Sequence, residues 1–170
     1  MAGKVLLRLT LLRAALSRDP RARLARLGGL DDVARAARSD ALTGLGNRLA
    51  WDEALQLLQH DLRAAGKPHT IVVVDVGPRF VEAVAATIRE TVRDDDVVAR
   101  IADDEFAILM RDTDEAACRQ RIERLERGFA GRRAEAAVGC GTIPPAASLR
   151  AAQEEAELRL AAVKANVTKE

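Results

Sequence analysis

One stretch constrains the fold more than any other. Thr70-Ile-Val-Val-Val-Asp-Val76 is a short β-branched apolar run, and Gly77-Pro78 closes it. Valine and isoleucine lose side-chain freedom in a helix but pack well on a pleated surface, so the run predicts a buried strand. A strand needs neighbours, and the segments after it supply them. Arg79–Arg93 is alanine-rich, with Phe80, Val84 and Ile88 on one helical face. Val97–Ile101 and Phe106–Met110 are apolar runs separated by Ala102-Asp103-Asp104-Glu105, the pattern of a hairpin. Asp114–Phe129 predicts a helix capped by Asp112 or Thr113. Ala134–Thr142 predicts a strand ended by Pro144-Pro145, and Ser148–Ala165 a closing helix.

From Thr70 the order is therefore β-α-β-β-α-β-α. Its first six elements form the split βαβ pattern of ferredoxin-like folds. The expected class is α/β (α+β), a ferredoxin-like, palm-type antiparallel sheet with the helices of that unit on one face. Upstream, Arg48–Ala65 places Leu49, Leu55, Leu58 and Leu62 near helical period, and Gly66-Lys67-Pro68 ends it. Asp40–Arg48 is a loop broken by Gly44 and Gly46.

The first 38 residues differ in kind. Val5, Leu9, Leu12 and Leu16 make one apolar seam, and Asp19-Pro20 reads as the start of a second helix that continues through Leu24, Leu27, Ala34 and Ala37. This segment carries nine basic and three acidic side chains, a net of +6, against −5 for the rest. The expectation is a helical arm over 1–38, too thin to bury itself, that pairs with its twin in a homodimer, ahead of a separate domain over 39–170; the alternatives are docking on its own domain and contact with anionic lipid or nucleic acid.

Composition excludes several classes. The hydrophobic fraction is 48%, but 33 of those residues are alanine, and three Phe, one Trp and no Tyr leave nothing for aromatic stacking on single-stranded nucleic acid. Basic and acidic residues, 27 and 26, nearly cancel, so no DNA or RNA partner is expected. Cys118 and Cys140, with only His60 and His69, suggest neither a disulfide framework nor a zinc site; two reduced thiols in a cytoplasmic protein are expected. Val5–Leu16 is interrupted by Arg8 and Arg13 and is shorter than the ~20 apolar residues that a membrane span needs.

The acidic groups fall together. Asp75 ends the first strand, and Asp103, Asp104 and Glu105 sit at the hairpin. The first and third elements of such a unit are neighbours, so these carboxylates can converge. A carboxylate cluster at strand ends suits Mg²⁺, a hard cation bound by oxygen; the alternative is a polar turn that is merely rich in aspartate.

Asp40-Ala-Leu-Thr-Gly-Leu-Gly-Asn-Arg48 resembles the opening motif D-x-L-T-x-L-x-N-R of the GGDEF family, the diguanylate cyclase domains. Ala99-Arg100-Ile101-Ala102-Asp103-Asp104-Glu105-Phe106 resembles the signature A-R-x-G-G-D-E-F with both glycines replaced. Ala156–Lys164 is similar to the closing helix, which ends in lysine. The resemblance covers 40–166 and implies a palm-type sheet. It also implies chemistry in which two GTP become cyclic di-GMP, with Mg²⁺ held by carboxylates between two facing domains. By position it implies Asp75 as a metal ligand, Asp104 and Glu105 as the acidic pair that binds metal near the attacking hydroxyl, and Lys164 as a phosphate contact.

Two departures oppose catalysis. The family's guanine-reading segment after the first strand is replaced by Val76-Gly77-Pro78-Arg79-Phe80. A site built on base-edge hydrogen bonds loses on the order of 10⁴-fold without them. Ala102-Asp103 stand where the family has two glycines, and Asp103 sets a negative charge beside a polyanion. Arg93-Asp94-Asp95-Asp96 supplies R-x-x-D at the offset where the family binds cyclic di-GMP as inhibitor; Arg93, Asp96 and Arg124, with Arg121 nearby, are the candidate residues. The expected function is a degenerate, catalytically inactive GGDEF domain acting as a dimerising regulatory module that binds cyclic di-GMP at this site. A residual cyclase using Asp75, Asp104 and Glu105 is the first alternative, and a purely structural partner-binding domain the second.

Overall fold

The structure is a computed structural model of the chain, and it describes residues 31–61, 68–143 and 149–167, except the side chains of 59–61, 149, 166 and 167. The chain separates after Arg38 into two units, Met1–Arg38 and Ser39–Glu170. Within the first, residues 31–37 are helical. The seam at Val5–Leu16, the helix start at Asp19-Pro20, and the stops at Gly66-Lys67 and Pro144-Pro145 lie outside the described residues. No helix among the described residues is long and apolar enough to cross a membrane.

The second unit runs α1 (Arg48–Asp61), β1 (His69–Val76), a 3₁₀ turn (Pro78–Phe80), α2 (Val81–Thr91), β2 (Val97–Ala102), β3 (Glu105–Met110), α3 (Glu115–Gly131), β4 (Ala136–Ile143) and α4 (Leu149–Val167). The strands form one sheet in the order β2-β3-β1-β4, and every pairing is antiparallel. This is the sheet expected of the split βαβ unit.

Alternation along the central strands divides the core. Val72, Val74 and Val76 of β1 and Phe106, Ile108 and Met110 of β3 turn to one face, where Val84 and Ile88 of α2 and Leu125 and Phe129 of α3 cover them. Ile71, Val73, Ala107 and Leu109 turn to the other, against Trp51 and Leu58 of α1 and Ala152, Ala156 and Leu160 of α4. The two helices inside the unit share a face as expected. The flanking helices close the opposite face, which explains why β1 is apolar at consecutive positions rather than alternate ones.

Helix starts show where local chemistry decides. Asp114, rather than Asp112 or Thr113, caps α3: its Oδ1 accepts from Ala117 N at 2.8 Å. Asp112 takes a left-handed φ of 45° in the preceding turn, and buried Thr113 donates its hydroxyl to Arg111 O. α2 begins at Val81 rather than Arg79, because Pro78 opens a 3₁₀ turn first.

β4 meets α4 through glycine. A Cβ on Gly141 would lie 2.0 Å from Ala152 O, and one on Gly139 would lie 2.3 Å from Ala156 O. The helix therefore rests on the strand at backbone contact, and it steps along it in matched strides. Four helical residues rise about 6 Å and two strand residues about 6.7 Å. Ala152 lies over Gly141, and Ala156 and Leu160 lie over Gly139. Carried one stride further, the same pattern sets Ala137, whose partner across the ladder is Asp75, between Leu160 and residue 164.

Candidate functional site

That stride delivers Lys164 to the carboxylate end of β1. Its Nζ forms an ion pair with the Asp75 carboxylate. Asp75 faces Glu105 across the β1–β3 ladder, and the Val76 N–H donates to Asp104 O at 2.8 Å, fastening the hairpin to the strand end. Glu105 is half-buried, whereas Ala102, Asp103 and Asp104 are exposed. Burial pushes the Glu105 carboxyl above its ordinary value; Lys164 opposes this, and the negative charges of Asp75, Glu157 and Asp104 add to the rise. Glu157 belongs to this cluster, and sequence reading missed it. It stands seven residues, about two helical turns, before Lys164, a spacing that the closing-helix motif contains but does not single out.

The hairpin turn holds without its glycines. Among the described residues only Gly44, Asp112 and Arg133 have positive φ, so Ala102 and Asp103 adopt backbone angles open to any L-residue. The ladder shifts register between Arg100 and Ala102. Arg100 donates to Asp103 O at 2.5 Å and to Asp40 Oδ2 at 3.3 Å. Asp40 in turn accepts from both the N–H and the hydroxyl of Thr43. Burial pushes the Asp40 carboxyl up, but Thr43 and Arg100 together hold it below its ordinary value. Gly46 lies against β2, with its N–H on Val98 O and its carbonyl accepting from Arg100 N, and a Cβ there would meet Val98 O at 2.7 Å. Asn47 Oδ1 accepts from Ala50 N and caps α1. The Asp40–Arg48 loop is thus a clasp on the edge of β2.

Between β1 and α2 the chain is short. Gly77 and the turn Pro78–Phe80 make the whole connection, closed by Phe80 N on Gly77 O at 2.8 Å. Arg79 reaches Glu135 at 3.2 Å and covers the Phe80 ring at 4.6 Å.

The R-x-x-D residues separate into two roles. The Asp96 side chain is 0% exposed and ion-paired with Arg121, itself 11% exposed. It also accepts from Arg93 N at 2.8 Å and Arg111 N at 3.3 Å. Its oxygens are thus occupied within the fold. Arg93 and Arg124 are exposed.

Residues 37–169 match the family model described as diguanylate cyclase, GGDEF domain. The chain belongs to the GGDEF family. Among curated proteins, the cyclic di-GMP phosphodiesterase NbdA of Pseudomonas aeruginosa is 36% identical over 87 residues, covering 43% of this chain and 11% of that protein. Diguanylate cyclase DgcP of the same organism is 30% identical over 115 residues, 59% of this chain and 17% of that protein. The chain therefore spans less than a fifth of either relative. Among solved structures, the coiled coil and GGDEF domain of DgcB from Caulobacter crescentus, in complex with c-di-GMP, matches with a TM-score of 0.78 at 22% identity, covering 91% of this chain and 95% of that one. The FimX GGDEF domain from Pseudomonas aeruginosa matches at 0.66 and 19% identity, covering 74% and 93%. These likenesses show the fold.

The GGDEF family implies Mg²⁺ at Asp75, Asp104 and Glu105. Magnesium demands near-octahedral oxygen ligands and tolerates little misplacement. Here Asp75 is paired with Lys164, Asp104 stands out on the turn, and among the described residues no three His, Cys, Asp or Glu side chains gather so as to hold a metal ion. In this arrangement the three carboxylates do not close around a cation.

Proposed function

We propose that this GGDEF domain is degenerate and does not make cyclic di-GMP, and that it acts as a regulatory, dimerising module in cyclic di-GMP signalling. The observation that carries the reading is the connection from Gly77 to Phe80. It lacks the family's guanine-reading segment, and its one polar side chain, Arg79, is turned to Glu135 and Phe80. The Lys164–Asp75 ion pair supports the same reading, since it joins a would-be phosphate contact to a would-be metal ligand. Incubation with GTP and Mg²⁺, followed by chromatography, yields no cyclic di-GMP on this reading. Product that disappears on Asp104→Ala overturns it.

Cyclic di-GMP binding is assigned to the exposed guanidinium groups of Arg93 and Arg124, which suit phosphate oxygens. Asp96 acts there as an anchor for the Arg93 backbone rather than as a contact. Calorimetric titration gives binding that Arg93→Ala abolishes; no heat from the wild type at high micromolar ligand ends this part. The dimer is assigned to residues 1–38, and a monomer by light scattering of the full chain rejects it. One observation favours a residual cyclase instead: Asp75, Glu105 and Lys164 do meet at one strand end. The GTP incubation separates the two readings.

A further inference from the structure

Four acidic side chains and one basic one set the charge at the end of β1. Asp75 and Glu105 are partners across the β1–β3 ladder, and Asp104 precedes Glu105 on the hairpin. Lys164 comes from α4 and pairs with the Asp75 carboxylate. It favours the ionised Glu105 carboxyl as well, while Asp75, Glu157 and Asp104 oppose it. The Asp75 side chain is 28% exposed and that of Lys164 46%, so the pair stands at the surface of the domain. α4 brings the lysine to this place. The helix rests on β4 at backbone contact through Gly139 and Gly141, so the stem of Lys164 starts from a fixed point near Asp75.

The geometry suits an ammonium better than a divalent metal. Magnesium requires oxygen ligands in a near-octahedral array at about 2.0–2.1 Å. The acidic side chains come from β1, the β2–β3 hairpin and α4. Among the described residues, no three His, Cys, Asp or Glu side chains gather so as to hold a metal ion. An ammonium carries three donors on a flexible stem and imposes no such array. A divalent cation entering here would have to break the Asp75 pair and then face the displaced ammonium.

We propose, resting on the reading of the domain as non-catalytic, that Lys164 is the resident counter-ion of this carboxylate cluster, in place of the Mg²⁺ that the family implies. Mg²⁺ is then neither bound nor needed at the end of β1. The ammonium that resemblance assigns to a substrate phosphate is engaged within the fold instead, on Asp75.

The test uses the full chain with no nucleotide present. Calorimetric titration of the wild type with MgCl₂ gives no saturable heat, and its thermal midpoint is the same in EDTA and in millimolar MgCl₂ at matched ionic strength. Lys164→Met lowers the midpoint in EDTA by about 2–4 °C, the shift expected of a partly exposed pair together with the repulsion it leaves. Lys164→Arg keeps the charge and recovers most of that loss. The loss falls to less than about half when Asp75 is already asparagine, because the two side chains then no longer couple. A saturable Mg²⁺ heat in the wild type overturns the proposal. So does a Lys164→Met midpoint within about 1 °C of wild type, or an undiminished loss in the Asp75→Asn background. The wild-type titration reads the same whether or not a variant folds. Mg²⁺ binding found there removes the counter-ion alone, since turnover is decided separately by the GTP incubation.

Discussion

Replacing Gly141 by alanine tests the contact that brings α4 to the site. The new Cβ would lie 2.0 Å from Ala152 O and 3.0 Å from both Ala152 C and Ala156 N. All three are backbone atoms, so no rotamer change can make room. α4 must lift or tilt, and that loosens Ala152, Ala156 and Leu160 from Ile143 and Ile71 beneath them. Overpacking a well-filled core costs about 1–3 kcal/mol, and an immovable neighbour puts this substitution near the upper end. At about 2–4 °C per kcal/mol for a chain of this length, the midpoint falls by roughly 6–12 °C. Gly131→Ala is the matched control. Nothing lies within 4 Å of a Cβ there and its φ is not positive, so helix propensity makes alanine neutral to favourable by up to about 1 kcal/mol. Urea unfolding followed by circular dichroism reads both. Gly141→Ala within about 0.5 kcal/mol of wild type refutes the close approach, because that is the range of substitutions touching nothing.

Asp96→Ala leaves the largely buried Arg121 guanidinium unpaired, so urea unfolding shows a loss of about 3–5 kcal/mol. Arg79→Ala breaks an ion pair whose two side chains are mostly exposed, and the same measurement shows less than about 1 kcal/mol. Asp40 makes stability depend on acid. Its folded pKa lies below the ordinary 3.8, so its contribution is complete above that value and is lost as pH falls through the lower, folded one. In acid titration of unfolding, the stability gap between wild type and Asp40→Asn is therefore constant above pH 3.8 and narrows as pH falls below it.

Much of this fold was legible because it rests on periodicity. The β-branched run of β1 and the apolar blocks of β2 and β3 carry a strand signal that needs no tertiary knowledge, and the element order then limits the topology to very few. Other features were silent because their cause is distant in sequence. Gly139 and Gly141 look like strand breakers, yet they are required by backbone atoms of Ala152 and Ala156. Asp96 reads as one acid in a run of three, and its burial depends on Arg121, 25 residues on. Glu157 joins the carboxylate cluster only because α4 is held at glycine contact. At the site, position was readable and pairing was not: Asp75 and Glu105 meet as expected, but the partner on Asp75 is Lys164 rather than a third carboxylate.

The two best motifs divide along the same line. In the opening motif, Asp40 holds Thr43 and Arg100, Gly46 lets the loop lie on β2, and Asn47 caps α1. In the signature, Arg100 closes the clasp and Phe106 fills the core. Every one of these contacts is made within the fold and would be needed whether or not a nucleotide binds. Matching those residues therefore identifies the fold and says nothing about turnover. Ala102, Asp103 and Asp104 are exposed, and the connection after Val76 meets the core only at its end, through Phe80. Those are the places where this chain departs from the family pattern. The departures fall mostly on exposed turn positions, which is what the loss of a chemical requirement proposed above would leave on an intact scaffold.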